Sequence, residues 1–317
     1  MKSRLLVAVL AAFLVVPEVA SGSYLVTRNA GKPALKVDPQ GHALVSYVDR
    51  GVQKHLLLWG AVNALPPAQG RTQVEFKMDY SGGFKSLRRK QYFRTIKNVC
   101  TRYDGPALAW LVAACKAPDG SYWALQRWQR MLPNLGIPPW KAEQSVQELH
   151  ISHWSGPLPV IDARVNWSWS GRFRQIIGTY NYAGSPVYGF NVRSNGAPLD
   201  AWSRNLYLDT LDSAYGAGWK RENSFLAQQA NGRYCYSLGP RDPAQGGFPG
   251  YPNVGPRQGT GTRYRISALG PGVTPIVMWE AADPGAFDGA DASKADLERA
   301  GNEYLRSLGF SPSDCHA

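Results

Sequence analysis

The sequence predicts a mainly β protein, with antiparallel sheets, sandwich or barrel-like, in two packed units followed by one C-terminal α-helix. Short runs in which apolar and polar residues alternate indicate strands. Abundant turn formers, 33 glycines and 23 prolines, separate these runs. Only the last part of the chain has the apolar spacing of an amphipathic helix. Together, these three observations give the predicted fold class.

The first 22 residues are predicted to be a secretory signal peptide. Two basic residues precede an apolar run over residues 5–16, and Ala20, Ser21 and Gly22 supply a small-residue exit. The run is too short to span a bilayer, and no second long apolar segment follows it. We therefore expect cleavage near residues 20–23 and a secreted or extracytoplasmic protein without a transmembrane segment.

Residues 23–145 are predicted to form the N-terminal β unit. Residues 24–64 resemble a β-meander, because short β-rich runs are separated by Asp, Pro and Gly. A hairpin is expected over residues 107–128, with its turn at residues 118–120. Prolines then interrupt regular structure, so the boundary between the units is placed near residue 145.

Residues 146–317 are predicted to form the C-terminal β unit. Its clearest strand lies at residues 160–169, where apolar and polar residues alternate, and it is expected to pair with residues 173–182. The apolar positions of this strand are Ile161, Ala163, Val165, Trp167 and Trp169. Successive strand residues point to opposite faces, so we expect this set, both tryptophans included, to lie in the core.

The C-terminal helix is expected to begin at a cap on Asp291 or Ser293 and to end before Gly309. From residue 283 to the end, acidic residues outnumber basic ones by seven to three. We therefore expect this tail to dock on the basic body of the protein and to be held there by Cys315.

Four cysteines in an exported chain predict disulfide bonds. Cys100 and Cys115 flank an expected strand pair, so we favour a bond between them and a second bond between Cys235 and Cys315. Free buried thiols are the alternative. In the chain-entropy picture, each bond stabilises the folded protein by about 3–4 kcal/mol.

A formal net charge of +12 favours anionic partners. The most basic segment runs from residue 85 to residue 102, has no acidic residue, and is expected to form a hairpin. Its basic residues are Lys85, Arg88, Arg89, Lys90, Arg94, Lys97 and Arg102. Aromatic residues are interleaved with them, as in nucleic-acid grooves. Export favours an anionic envelope polymer over nucleic acid, and an ordinary solvated face is the alternative.

A turn-rich segment at residues 199–223 is the predicted ligand surface, since loops on a rigid scaffold often carry function. Its predicted ligand-binding residues are Trp202, Arg204, Asn205, Tyr215, Trp219, Arg221 and Asn223. Its acidic residues are Asp200, Asp209, Asp212 and Glu222. Aromatic rings beside carboxylates suit a sugar site, and two suitably spaced carboxylates could also hydrolyse a glycan. Purely structural roles for these residues are the alternative.

The signatures of known catalytic and cofactor sites are missing from the sequence. His150 and His153 are the only clustered histidines, and on a strand they would face opposite ways, as two ordinary edge-strand residues. Asp283, Asp288 and Asp291 lack the spacing of a calcium loop. No metal site and no cofactor are therefore predicted.

These observations predict a secreted, monomeric, non-catalytic binding or cell-envelope-associated protein that recognises a glycan or another anionic envelope polymer, without specific nucleic-acid binding. A secreted glycan hydrolase with a carboxylate pair is the first alternative. A purely structural secreted protein is the second.

Overall fold

The computed structural model describes residues 23–62, 75–131, 143–171, 173–187, 206–213, 216–221, 232–238 and 261–311. The predicted signal peptide and much of the predicted ligand surface lie outside these residues. Within them, the protein is mainly β, with four antiparallel sheets and a C-terminal helix, which confirms the predicted fold class.

Sheets I and II are built from the N-terminal half of the chain. The strands of sheet I, in spatial order, are β1 (Tyr24–Arg28), β9 (Glu143–Trp154), β8 (Tyr122–Met131), β7 (Leu111–Lys116) and β6 (Thr101–Arg102). The strands of sheet II are β2 (Gly31–Val37), β3 (Ala43–Asp49), β4 (Val52–Gly60) and β5 (Phe76–Asp79). Two one-turn helices, α1 (Phe84–Leu87) and α2 (Tyr92–Thr95), follow β5.

Sheets III and IV are built from the C-terminal half. Sheet III contains β10 (Val160–Ser168), β11 (Phe173–Tyr182), β12 (Ser185–Pro186) and β15 (Arg233–Ser237), with β15 paired to β11. Sheet IV contains, in spatial order, β14 (Gly216–Arg221), β13 (Leu206–Ser213), β16 (Arg263–Ala268) and β17 (Val277–Ala282). Helix α3 (Ala292–Ser307) follows sheet IV in the chain.

Each pair of sheets shares a hydrophobic core. Leu56 and Leu58 of sheet II belong to one cluster with Trp123 and Ile151 of sheet I. A second cluster joins sheets III and IV, and its largest side chains are Tyr180, Tyr234 and Tyr264. Side chains alternate between the two faces of a β-strand, so the apolar residues of each strand share one face. Packing two sheets together buries these apolar faces.

The pairing of β9 bears on the organisation of the chain. β9 begins close to the predicted boundary at residue 145, and it pairs with β1 and β8 of sheet I. Strand pairing therefore assigns residues 143–154 to the N-terminal sheets, whereas the division at residue 145 itself stays a prediction. The amide of Gln126 then joins the two halves, since it accepts from Ile276 N and donates to Ile276 O, both at 3.0 Å.

The hairpin predicted around residues 118–120 is confirmed. β7 pairs with β8, and Gly120 N donates to Ala117 O at 3.0 Å in the turn. The Cys100–Cys115 disulfide is confirmed as well. Cys235 is also disulfide-bonded, but Cys315 lies outside the described residues, so their pairing stays a prediction.

Helix α3 begins and ends as predicted. The Asp291 carboxylate caps it by accepting from Ser293 N and Lys294 N, and Gly309 follows its end with a φ of 71°. The helix packs on β10, where Trp169 N donates to the side chain of Asn302 at 3.1 Å. Among the described residues, α3 contacts a cation of the body at Arg164, whose guanidinium lies over the Tyr304 ring. The docking of the whole tail, with Cys315, stays a prediction.

The predicted burial of the 160–169 strand is only partly correct. Ile161, Ala163 and Val165 pack on the second core cluster as expected. The expectation that both tryptophans lie in the core is wrong for Trp167, which is half-buried and, among the described residues, does not pack on either sheet cluster. Trp169 lies beyond the end of β10 at Ser168 and packs on a smaller buried cluster that includes Leu305 of α3. Near its end the strand instead buries two polar residues, Asn166 and Ser168, whose face is covered by α3.

The interpretation of His150 and His153 as edge-strand residues is wrong. β9 lies between β1 and β8, and both histidines are buried. They do face opposite ways, since His153 stacks on Trp123 and His150 stacks on Trp128, five positions away on β8. Aromatic neighbours therefore cover both faces of this strand.

Candidate anion-binding surface

The seven basic residues between positions 85 and 102 are all exposed, and together they define the basic surface. Among the described residues, none of the seven has an ion-pair partner. The two carboxylates that flank the segment are engaged elsewhere: Asp79 is buried, and Asp104 pairs with Lys116 at 2.9 Å. A cluster of unpaired cations without a carboxylate among them presents a positive potential to the solvent.

The predicted hairpin at this position is wrong, because the segment folds into α1 and α2 instead. The carboxylate of Asp79 accepts hydrogen bonds from Ser81 N and Ser86 N, both at 2.8 Å, and these bonds hold the turn before α1 and its first residues. Gly82 and Gly83 follow with backbone φ angles of 65° and 100°, which residues other than glycine rarely adopt. A backbone anchored this way does not extend into a strand.

Two apolar residues fix the basic surface to sheet II. Tyr92 and Ile96 are buried against Leu44 and Leu57, which form a cluster separate from the main core. Since Leu44 and Leu57 alternate with core residues along β3 and β4, they lie on the outer face of sheet II. The part of the basic surface around α1 and α2 therefore covers this outer face, whereas Arg102 lies on β6 of sheet I.

A buried hydrogen-bond network lies under the Tyr92 anchor. Tyr92 Oη donates to Asp38 Oδ2 at 2.6 Å, and His42 Nδ1 lies 2.8 Å from the same oxygen. Burial tends to raise the pKa of Asp38, but the hydrogen bonds from Tyr92 and His42 outweigh it and lower that pKa. Burial and the bond to Asp38 raise the pKa of Tyr92 to about 12. The tyrosine therefore stays a neutral donor to a charged carboxylate.

Aromatic rings support the arginines of the basic surface. Phe93 stacks on His55 with ring centroids 4.0 Å apart and an interplanar angle of 9°. The guanidinium groups of Arg94 and Arg89 lie 5.5 Å and 5.6 Å from the ring centroids of Phe93 and Tyr92. These cation–π contacts orient the arginines and leave their charge exposed.

We predict that acid weakens this anchor through Asp79. Burial raises the pKa of this carboxyl, but hydrogen bonds from Ser81 and Ser86 outweigh it and lower the pKa to about 2. A depressed folded-state pKa contributes stability that is complete above the ordinary value of 3.8 and is lost as pH falls toward 2. The shift corresponds to about 2 kcal/mol. Urea unfolding of the wild type and Asp79→Asn at neutral pH and at low pH measures it.

The difference in unfolding free energy between these two proteins is expected to shrink by about 2 kcal/mol as pH falls through this range. A difference that stays constant would show that the Asp79 carboxylate does not stabilise the anchor. Other carboxylates titrate equally in both proteins, so they cancel from the comparison.

The described part of the predicted ligand surface is an ion-pair cluster on sheet IV. The register of β13 places Asp209 directly between Arg221 of β14 and Arg265 of β16. Asp209 Oδ1 lies 2.8 Å from Arg221 Nε, and Asp209 Oδ2 lies 2.9 Å from Arg265 Nη2. The carboxylate is fully buried, and both of its oxygens are held by guanidinium groups. Neither oxygen is presented to a substrate.

Aromatic rings enclose the same cluster. The Arg265 guanidinium lies 4.2 Å from the ring centroid of Trp219 and 5.3 Å from that of Trp110. Trp110 packs in turn against Trp128 of sheet I, with ring centroids 5.8 Å apart. Trp110, Trp128 and Arg265 did not stand out in the sequence, because strand pairing and packing bring them together from distant positions. The row they form connects sheets I and IV.

Of the other predicted residues of the ligand surface, Asp212 makes a structural contact and the remainder lie outside the described residues. Asp212 is exposed, and its carboxylate accepts from Gly218 N at 2.8 Å within the β13–β14 hairpin, which is a structural contact. Seven predicted residues lie outside the described part of the chain: Asp200, Trp202, Arg204, Asn205, Tyr215, Glu222 and Asn223. A converging carboxylate pair therefore stays a prediction.

One serine–histidine pair on sheet I has the contacts of a nucleophile and a base. Ser121 Oγ lies 2.8 Å from His153 Nε2, and His153 Nδ1 lies 2.8 Å from Gly60 O. The nearby carboxylate of Asp119 contacts Ser121 and not the histidine, so the order of a catalytic triad is not met. Ser121 and His153 are buried, which fits a structural role.

A second pair, Ser23 and His150, continues to a carboxylate. Ser23 Oγ lies 3.0 Å from His150 Nδ1, and His150 Nε2 lies 3.5 Å from Glu148 Oε2. Hydrogen bonds from His150 and Arg28 outweigh burial and lower the pKa of Glu148 to about 2. Ser23 exposes only 1% of its surface, so its hydroxyl is not presented to a substrate.

Three acidic residues weighed as calcium ligands have separate contacts. Asp283 accepts from Arg174 at 2.8 Å, Asp288 accepts from Ala290 N at 2.9 Å, and Asp291 caps α3. In the part of the chain that the structure describes, no group of three or more His, Cys, Asp or Glu side chains could hold a metal ion. Within the same residues, no helix has the length and apolar character that crossing a membrane requires.

No protein-family model, no curated protein and no solved structure matches this chain. A function can therefore be argued only from the residues and contacts described above.

Proposed function

We propose that this chain is a non-catalytic, extracytoplasmic protein that binds an anionic partner of the cell envelope through its basic surface. One observation carries the proposal: seven exposed cations, unpaired among the described residues, lie on one short segment that Tyr92 and Ile96 pack against sheet II. Unpaired surface cations are available to an anionic partner without first breaking an ion pair. The strength of such an association depends on salt, because counterions screen exposed charges.

The extracytoplasmic part of the proposal rests on two features. The first 22 residues have the organisation of a signal peptide, and the Cys100–Cys115 disulfide suits an oxidising compartment. Sequencing the N-terminus of the protein recovered from outside the cytoplasm tests this part, with a start near residues 20–23 expected. Recovery of the intact N-terminus would oppose it.

The contacts of the described carboxylates favour binding over hydrolysis. Asp209 is held by two arginines, and Asp212 stabilises a hairpin, so neither is placed to transfer a proton to a substrate. A glycan contact would fall to Trp219, the one predicted ring in the described residues. Trp219 is half-buried and stands beside Lys220 and Arg221 on β14.

Retention of the mature protein on dextran sulfate beads tests the proposal. We expect retention at low salt and release at high salt, whereas beads of neutral dextran retain nothing. Substituting Arg88, Arg89 and Lys90 with Gln is expected to lower the salt concentration at which the protein is released.

A matched control removes the same number of charges elsewhere. Lys32, Arg127 and Arg306 are exposed and, among the described residues, have no ion-pair partner. Their triple substitution with Gln is expected to change the release point much less. Equal effects of the two triple variants would mean that net charge alone drives retention and would overturn the role of the basic surface.

A further inference from the structure

We infer that the partner of the basic surface is the anionic headgroup face of a lipid bilayer, and that Tyr80 and Phe84 enter its interface. This inference rests on the proposed function and names the partner. Tyr80 is 65% exposed and Phe84 is 50% exposed, although both are large aromatic residues. Phe84 directly precedes Lys85, the first of the seven cations, and Tyr80 lies four positions before Phe84.

The combination of apolar rings with cations distinguishes between anionic partners. A polyanion without apolar faces, such as polyphosphate, needs only the charges, and exposed rings beside the cations add little to its binding. A bilayer surface offers both anionic headgroups and an apolar boundary where aromatic side chains are favoured. Exposed aromatic residues beside several lysines and arginines are typical of interfacial binding.

The two rings are held in place before any partner arrives. Tyr80 Oη lies 2.8 Å from Tyr24 Oη of sheet I, which ties the tip of the ring to the body of the protein. Phe84 begins α1, and the Asp79 carboxylate fixes the backbone on both sides of it through Ser81 and Ser86. Because this turn is already ordered, little conformational freedom is lost when the rings are buried in a bilayer.

Two of the cations lie close to Phe84 along the chain. Lys85 and Arg88 lie within and directly after α1, one and four positions beyond Phe84. Lysine and arginine have long side chains that can reach headgroup phosphates while a neighbouring ring enters the interface. In the proposed contact, Tyr80 and Phe84 therefore enter the bilayer interface while the lysines and arginines bind headgroup phosphates.

Co-sedimentation of the mature protein with lipid vesicles tests the inference. We expect binding to vesicles of phosphatidylcholine mixed with phosphatidylglycerol and none to vesicles of pure phosphatidylcholine. The double variant Tyr80→Ser with Phe84→Ser is expected to bind the anionic vesicles about tenfold more weakly. Its retention on dextran sulfate is expected to stay at the wild-type level, because its charge is unchanged.

Leu297 and Val160 provide a matched control, since they are 54% and 58% exposed in other parts of the fold. Their double substitution with Ser is expected to leave vesicle binding unchanged. Phe84→Ser alone keeps the bond between Tyr80 and Tyr24, so a partial loss is expected even if the double variant fails to fold. Thermal unfolding of each variant identifies such a failure.

The outcomes separate the two proposals. Retention on dextran sulfate without binding to anionic vesicles would overturn the lipid inference and leave the proposed function standing. Vesicle binding that ignores Tyr80 and Phe84 would overturn the interfacial role of the rings. A protein that binds neither material would overturn both proposals.

Discussion

Replacing Trp123 with alanine is expected to lower the free energy of unfolding by about 3–5 kcal/mol, the range found when a large aromatic is truncated in a packed core. Trp123 is fully buried between the two N-terminal sheets, where it stacks on His153 with ring centroids 3.7 Å apart and on Phe76 at 5.7 Å. The neighbouring rings cannot collapse fully into the space left by an indole. Urea unfolding followed by circular dichroism measures the loss with the disulfides intact.

Trp167→Ala serves as the comparison for this variant. Trp167 is half-buried, and its indole N–H donates to Gly285 O at 3.0 Å at the protein surface. Its truncation is expected to lower the unfolding free energy by about 1–2 kcal/mol. If Trp123→Ala does not fold, Trp123→Phe should still show an intermediate loss. A larger loss for Trp167 than for Trp123 would contradict the assignment of the core.

These two tryptophans show what the sequence could predict and what it could not. The strand that holds Trp167 was predicted correctly, because alternation of apolar residues depends only on neighbours along the chain. The burial of its two faces was not predicted correctly, because α3 lies more than a hundred positions later in the chain and packs on the polar face of the strand. Which face of a strand is covered depends on tertiary packing, and near Ser168 the polar face of β10 is the buried one.

The basic surface was recognisable for a similar reason. A run of cations without acids has to be solvated wherever it lies, so its exposure could be predicted locally. The support beneath it could not, since Tyr92 and Asp38 are 54 positions apart and their hydrogen bond needs the folded sheet. The predicted hairpin was wrong here, because Gly82, Gly83 and the Asp79 carboxylate form a turn that leads into α1 instead of a strand.

The predicted ligand surface at residues 199–223 shows that composition alone does not reveal which carboxylates are buried. Asp209 was grouped with its neighbours in sequence as a candidate for catalysis. The structure groups it with Arg265, 56 positions away, because the β13–β16 register places the two side by side. A carboxylate in a polar segment can therefore be fully buried, and its role follows from its partners across the sheet.

Asp209→Asn is expected to lower the free energy of unfolding by about 3–5 kcal/mol, as found when one partner of a buried ion pair is removed. The amide carries no charge, so Arg221 and Arg265 are left as two neighbouring cations with little access to water. Arg265→Met should cause a smaller loss, since Asp209 then keeps its contact with Arg221 at 2.8 Å. Urea unfolding at neutral pH measures both variants.

Asp212→Asn is the matched control, because Asp212 lies on the same strand but is exposed. Its amide oxygen can still accept from Gly218 N, so a change below about 1 kcal/mol is expected. A glycan hydrolase built on Asp209 would behave differently, with wild-type stability in Asp209→Asn and loss of reducing-end release from a polysaccharide. That result would replace the structural role of Asp209 with a catalytic one, since a carboxylate fully committed to two arginines cannot be removed without destabilising the sheet.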